Sequence, residues 1–166
     1  SQSIDIKLKI KIILEKIMPE TRIIKLESSH YNSWVRLYKK YAEFYEYTVT
    51  NKSLLKTWSW LNDDNHPLKG IIAKKNEMLV GFAHYRAMPS PLDGCDAGFL
   101  DDLYLLPEYR GEKIGEFLIQ RIKKEAKEKN WPYVSWITKD DNYRARTLYD
   151  RIATKTDWNV YELSID

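Results

Sequence analysis

The sequence predicts a single α/β domain in which helices flank a central sheet. Three observations predict it. Candidate strands and helices alternate through the second half of the chain. The 166 residues fit one domain and leave little room for a second. The balance of 43% hydrophobic and 31% charged residues is that of a chain able to bury a core without disulfides or metals.

The elements follow in order. Residues 4–12 set Ile4, Ile6, Leu8, Ile10 and Ile12 against Asp5, Lys7, Lys9 and Lys11, a period of two that predicts a strand with one basic face. The alternation breaks over 13–17, and Met18-Pro19 reads as an ordinary protein beginning. The expected domain therefore spans 18–166, with residues 1–17 an N-terminal extension, partly a cloning remnant. Residues 22–27 read as a short strand, and Ser28-Ser29 offers a helix cap. Trp34, Leu37, Tyr38, Tyr41, Phe44 and Tyr45 then recur at helical spacing. A second helix is predicted over 51–62, with Leu54, Leu55, Trp58 and Leu61 on one side and Thr50 or Asn51 at its start. Residues 70–74 and 78–86 read as strands joined across Lys75-Asn76-Glu77 in a hairpin. After a loop at Pro89, Pro91 and Gly94 comes a strand over 98–106, a turn over 107–111, and a helix over 113–129. A strand over 132–138, a helix over 142–152 and a strand over 159–165 complete the chain.

Composition removes several function classes. A net charge of +3 gives no broad attraction to nucleic acid or anionic membrane, and the basic run at 7–11 is short. No apolar run approaches the ~20 residues of a membrane span. Lys and Asp interrupt the N-terminal apolar residues, so no secretory signal is read and a cytoplasmic location is expected. The single cysteine, Cys95, excludes an internal disulfide and has no neighbouring His to activate it. His30, His66 and His84 lack metal-ligand spacing, so no metal is expected, and His84 in its strand reads as packed. The six Trp and twelve Tyr fit an aromatic core, an aromatic cleft or a subunit interface, and composition does not choose.

The informative segment runs from Leu100 to Gly115: Leu-Asp-Asp-Leu-Tyr-Leu-Leu-Pro-Glu-Tyr-Arg-Gly-Glu-Lys-Ile-Gly. It carries a strand into an amphipathic helix. At such a junction several backbone N–H groups lack partners and the helix dipole adds positive charge, which suits a diphosphate. Spacing alone would equally fit a plain strand-to-helix turn.

This stretch resembles the coenzyme A-binding motif of the GNAT superfamily, Gln/Arg-x-x-Gly-x-Gly/Ala, usually Tyr-Arg-Gly-x-Gly-Ile-Gly. Arg110, Gly111, Ile114 and Gly115 match, while Lys113 stands where the first motif glycine is expected. A second block, Asp141-Asn142-Tyr143-Arg144-Ala145-Arg146-Thr147-Leu148-Tyr149, is similar to the family's later Asn-x-x-Ala-x-x-Leu-Tyr motif. The resemblance runs over about 20–166 and is stronger after residue 78.

It implies a mixed, mostly antiparallel sheet splayed in the middle and flanked by about four helices. It implies acetyl-coenzyme A as co-substrate, held by Leu103, Tyr104, Leu105, Arg110, Gly111, Glu112, Lys113, Ile114, Gly115, Asn142, Arg146 and Tyr149. Asn142 would contact the pantetheine arm, and Tyr149 would face the thioester sulfur as general acid. Leu-Asp-Asp-Leu-Tyr-Leu resembles the spermidine/spermine and similar small amine acetyltransferases, which places Asp101 as the proton-relaying base, through water, and Asp102 beside it for the acceptor. Strand neighbours point to opposite faces, so both can aim into one site only across a bulge, and the pattern does not decide between them.

Between Arg86 and Arg110 stand Asp93, Asp96, Asp101, Asp102 and Glu108 and no Lys or Arg. That balance suits a cationic acceptor such as a polyamine, a lysine side chain or an aminoglycoside, or else a solvated acidic loop. The expected activity is acetyl transfer to a primary amine of a small molecule. The alternatives are a lysine or protein N-terminal acetyltransferase and a coenzyme A-binding regulator without turnover. A homodimer paired through residues 158–165 is a further expectation.

Overall fold

The structure is a computed structural model, and it describes residues 2–17 and 20–165. Five strands form one sheet in the order β1-β2-β3-β4-β5. They are β1 (Thr21–Lys25), β2 (Leu68–Lys75), β3 (Met78–Ser90), β4 (Cys95–Leu105) and β5 (Val134–Ser135). The first four pair antiparallel and β5 joins β4 in parallel. The helices are α1 (Gln2–Ile17), α2 (Tyr31–Phe44), α3 (Asn51–Leu61), α4 (Ile114–Glu128) and α5 (Tyr143–Ile152). The chain divides into two units, residues 1–136, which hold the whole sheet, and residues 137–166, which hold α5.

Helical periodicity and burial agree where the apolar stripe is continuous. In α4, Ile114, Leu118, Ile119, Ile122 and Ala126 are buried while Phe117 is exposed. Helix α2 buries Trp34, Leu37 and Ala42. Thr50 caps α3 by accepting from Ser53 N–H, and the Ser53 hydroxyl accepts in return from Thr50 N–H. Ile71, Ile72, Val80 and Phe82 are buried in β2 and β3 and carry the sheet's share of the core.

Four expectations give way. Residues 4–12 lie in helix α1, not in a strand. A strand needs a neighbour for its N–H and C=O groups, whereas a helix bonds its own. The Asp5–Lys9 pair, 3.2 Å apart at helical i,i+4 spacing, is compatible with that choice. Ile4, Ile6, Leu8 and Ile10 are all exposed, because period-two residues scatter around a helix instead of forming one stripe. Residues 159–165 form no strand either, and Trp158, Val160, Tyr161, Leu163 and Ile165 stand exposed. Alternation marks a chain able to enter a sheet but does not supply the partner edge. The strand expected over 132–138 shrinks to Val134–Ser135. At the start of α2, Ser28 and Ser29 lie inside a short 3-10 turn, and Glu27 with His30 closes the capping box in their stead.

Candidate active site

The short β5 shapes the site. Parallel pairing between β4 and β5 is confined to Gly98 with Val134 and Phe99 with Ser135. From Leu100 to Leu105, β4 has β3 on one side and no ladder partner on the other among the described residues. This is the sheet opening that the resemblance implied, and it leaves main-chain groups along Leu103–Leu105 available to an extended ligand. Gly98 sets where the strands touch: a Cβ there would sit 2.8 Å from Trp131 and 2.9 Å from Val134.

A bulge in β4 decides how its two carboxylates point. His84 pairs with Asp102 but Tyr85 pairs with Leu100, so Asp101 is the extra residue. Tyr85 reaches Glu125 of α4 through its hydroxyl, which assigns Tyr85 and its partner Leu100 to the α4 face. His84 and Arg86 therefore lie on the opposite face, where His84 meets Trp34 of α2. Because of the extra residue, Asp101 and Asp102 both reach that face: Asp101 bonds Arg86 and Asp102 bonds His84. The two acids that a regular strand would separate are thus on one side.

Their environments differ. Asp102 Oδ2 lies 2.7 Å from His84 Nδ1, and Trp34 Nε1 donates to His84 Nε2 at 2.9 Å. An indole N–H can only donate, so Nε2 accepts and the ring proton sits on Nδ1, donated to Asp102. Both ring nitrogens are thereby satisfied and His84, 1% exposed, is a neutral link in the core. Burial pushes the Asp102 carboxyl up, but hydrogen bonds from His84 and Tyr41 outweigh it and hold it below the usual range. Asp101 is the reverse case. Burial raises it, and the Arg86 hydrogen bond and charge only partly offset that. Tyr38 and Tyr41 line the same face, and burial, then the charge of Asp102, raises both phenols.

Arg86 Nε meets Asp101 Oδ1 at 3.2 Å and Oδ2 at 3.0 Å, and its guanidinium carbon lies 4.9 Å from the centre of the Phe99 ring. Neither Arg86 nor the Trp34–His84 link was singled out for function by sequence. Arg86 served only as the edge of an acid-rich stretch, and its pairing depends on strand register. That stretch is not one patch: along β4, Asp96 lies five residues from Asp101, about 17 Å at strand rise, and Asp93 bonds Ser90 in the hairpin turn.

The phosphate-type loop is built as follows. Gly111 (φ 90°) and Lys113 (φ 63°) take left-handed backbone on either side of Glu112, and α4 starts at Ile114. The helix ladder opens with Phe117 N–H donating to Lys113 O. Among the described residues no backbone carbonyl accepts from the N–H groups of Gly111, Glu112 or Lys113, and those of Ile114 and Gly115 precede the ladder. Lys113 supplies no side-chain cap. A row of main-chain N–H donors with the helix dipole behind it fits a diphosphate. Side chains brace the loop: Arg110 Nε donates to Leu105 O at 3.2 Å, and Lys75 pairs with Glu112. Lys113, at the motif glycine position, takes a left-handed conformation that a side chain disfavours. Lys113→Gly is expected to raise stability by about 0.5–1 kcal/mol, read as a shifted urea midpoint at constant slope. An unchanged midpoint would mean that the loop holds Lys113 at no cost.

In the second unit, Asn142 caps α5, its side-chain oxygen accepting from Ala145 N–H at 3.4 Å while its amide donates to Thr138 Oγ1 at 3.3 Å. Arg146 Nη1 donates to Asp140 O at 2.5 Å. Tyr149 lies half-buried on α5.

An open-edged strand running into a donor-rich helix start, with carboxylates on the adjoining face, is an arrangement able to hold a thioester carrier and an amine. A family model described as the acetyltransferase (GNAT) family matches residues 34–153. That span is most of the chain, and the chain belongs to this family. It is an acyltransferase that uses acetyl-CoA.

Relatives agree. The chain is 28% identical over 151 residues to the D-amino-acid N-acetyltransferase of Saccharomyces cerevisiae, covering 89% of this chain and 94% of the relative. It is 26% identical over 141 residues to the thialysine N-epsilon-acetyltransferase of Mus musculus, covering 80% and 82%. Among solved structures, the ribosomal-protein-alanine N-acetyltransferase from Brucella melitensis biovar Abortus 2308 superposes with a TM-score of 0.74 at 24% identity, covering 88% of this chain and 99% of that one. An aminoglycoside N-acetyltransferase in complex with CoA gives 0.76 at 18% identity, covering 88% and 95%. These structures share the fold.

Proposed function

We propose that the protein acetylates a primary amine of a small molecule by direct attack in a ternary complex, with Asp101 as base and Tyr149 as acid. The bulge at Asp101 carries this reading, because it turns two carboxylates toward one face beside the open edge of β4. The acceptor starts as an ammonium and must lose a proton before its nitrogen can attack. Asp101, whose carboxyl burial raises, is suited to take that proton through a water. The nitrogen then forms a bond to the thioester carbonyl carbon. A β4 main-chain N–H near Leu103–Leu105 is suited to hold the developing oxyanion. The carbon–sulfur bond breaks, the departing thiolate takes a proton from the Tyr149 hydroxyl, and the second proton of the acylated nitrogen passes to water, from which the Tyr149 phenolate is reprotonated. A phenol's reference pKa of about 10 makes that donation feasible. The donors from Gly111 to Gly115 would hold the diphosphate, and positioning of two substrates supplies much of the rate.

The acceptor is proposed as a small amine because the relatives named above act on a D-amino acid and on thialysine. A polyamine, the acceptor suggested by acid count alone, has less support, since Arg86 neutralises Asp101. The test is release of free thiol from acetyl-CoA over a panel of D- and L-amino acids, lysine analogues, polyamines, aminoglycosides and lysine peptides. Thiol release with a small amine is expected. Cofactor binding with no thiol release on any acceptor would replace this reading by a coenzyme A-binding regulator. Tyr149→Phe should slow turnover at least 10-fold with acetyl-CoA binding retained, and unchanged turnover would remove Tyr149 from the acid role.

A further inference from the structure

We propose that Arg86 binds a carboxylate of the acceptor, making the substrate a zwitterionic amino acid and Arg86 the residue that selects it. The inference rests on the acetyl-transfer reading and deepens it by naming the acceptor class.

Its basis is the way Arg86 is held. Asp101 meets the guanidinium only along its Nε edge, at 3.0 and 3.2 Å. That contact does not use the two Nη groups, which form the end-on fork matching a carboxylate with two parallel hydrogen bonds. The guanidinium carbon lies over the Phe99 ring, 4.9 Å from its centre, a cation–π contact that supports the side chain. The pair is half-open, with the Arg86 side chain 36% and the Asp101 side chain 27% exposed, so a small solute can reach it. Neither group is therefore committed to the core as His84 is.

The placement of the charges on this face allows a zwitterion to pair at both ends. On this face Asp101 and Asp102 set two negative charges against the one positive charge of Arg86. A bare polyamine would meet a repelling guanidinium beside its carboxylate. An amino acid places its ammonium near Asp101 and its carboxylate on Arg86, and each charge then finds its opposite. When the acceptor carboxylate engages Arg86, Asp101 shares its cation with a second anion and becomes a better proton acceptor. Recognition of the acid and readiness of the base are thereby linked through one guanidinium.

The experiment compares kcat/KM for an amino acid with that for its carboxamide, in the wild type, Arg86→Gln and Arg86→Lys. The amino acid is the best acceptor from the panel above. The wild type is expected to prefer the free acid by about 10- to 100-fold, mostly through KM. In Arg86→Gln the ratio should fall toward one, and Arg86→Lys should restore part of it, since a point charge attracts the carboxylate without the fork. A ratio unaltered by Arg86→Gln would overturn the proposal, as would a wild type that prefers the amide. If Arg86→Gln loses both substrates equally while still binding acetyl-CoA, Arg86 serves only to hold Asp101, which also overturns it. Thiol release with amines but no acid preference defeats this inference alone. No thiol release from any amine defeats the acetyl-transfer reading as well.

Discussion

Asp101→Asn is expected to lower kcat for a small amine acceptor by about 10²- to 10⁴-fold, the range for loss of a positioned general base. The substitution keeps size and part of the hydrogen bonding to Arg86 and removes the carboxylate's charge and its ability to take a proton. The pH profile separates this from a structural effect. Burial keeps Asp101 protonated to higher pH than an ordinary carboxyl, despite Arg86. The base works only when ionised, so activity falls as pH drops through the folded-state pKa, and that limb lies above the ordinary Asp value of about 3.9. Asp101→Asn should flatten it. An acid limb that survives in Asp101→Asn would sink the assignment.

Asp102→Asn gives a contrasting profile. Its folded pKa is held below the unfolded value by His84 and Tyr41 despite burial. The stability it contributes is therefore present above about pH 4 and lost as pH falls through the lowered folded value. In Asp102→Asn, acid unfolding should begin from a lower plateau and depend less on pH.

The second large effect is on stability. Trp34→Ala is expected to cost about 3–5 kcal/mol, a large part of the 5–15 kcal/mol that holds a domain folded. Trp34 is fully buried, lies 4.9 Å from the ring centre of Trp58 and stacks on Tyr38 at 5.1 Å, so its removal empties the centre of the α2 face. Trp34→Phe isolates the hydrogen bond. It fills most of the space but leaves His84 Nε2 without its donor, at about 1–3 kcal/mol. Urea unfolding reads both. If Trp34→Phe shifts the midpoint by less than about 0.5 kcal/mol, water or a turned ring replaces the indole, and the Trp34–His84–Asp102 line does not depend on it.

Local patterns in the sequence carried the elements whose information is local. The apolar stripe from Ile114 to Ala126 defines α4 because helix period and buried face coincide. Helix α5, expected over 142–152, is found over Tyr143–Ile152, and Asn142 caps it within one turn. Lys113 is placed at a motif glycine position by local resemblance, and it takes a positive φ there. Residues 4–12 and 159–165 depart from their alternating pattern for one shared reason. Alternation describes a side-chain pattern, whereas a strand exists only when another strand takes up its hydrogen bonds, and α1 and the tail carry the pattern without that partner.

The sequence by itself determined the family, the donor-rich turn from Gly111 to Gly115, and which two acids compete for the role of base. Only the tertiary structure decided how those acids face and what holds each of them. The bulge arises where β3 and β4 fall out of step by one residue, and the pairs Arg86–Asp101 and His84–Asp102 follow from that register across 15 and 18 positions of chain. Register is set by the packing of whole strands against α2 and α4, a sum over many distant contacts that no short stretch of sequence contains.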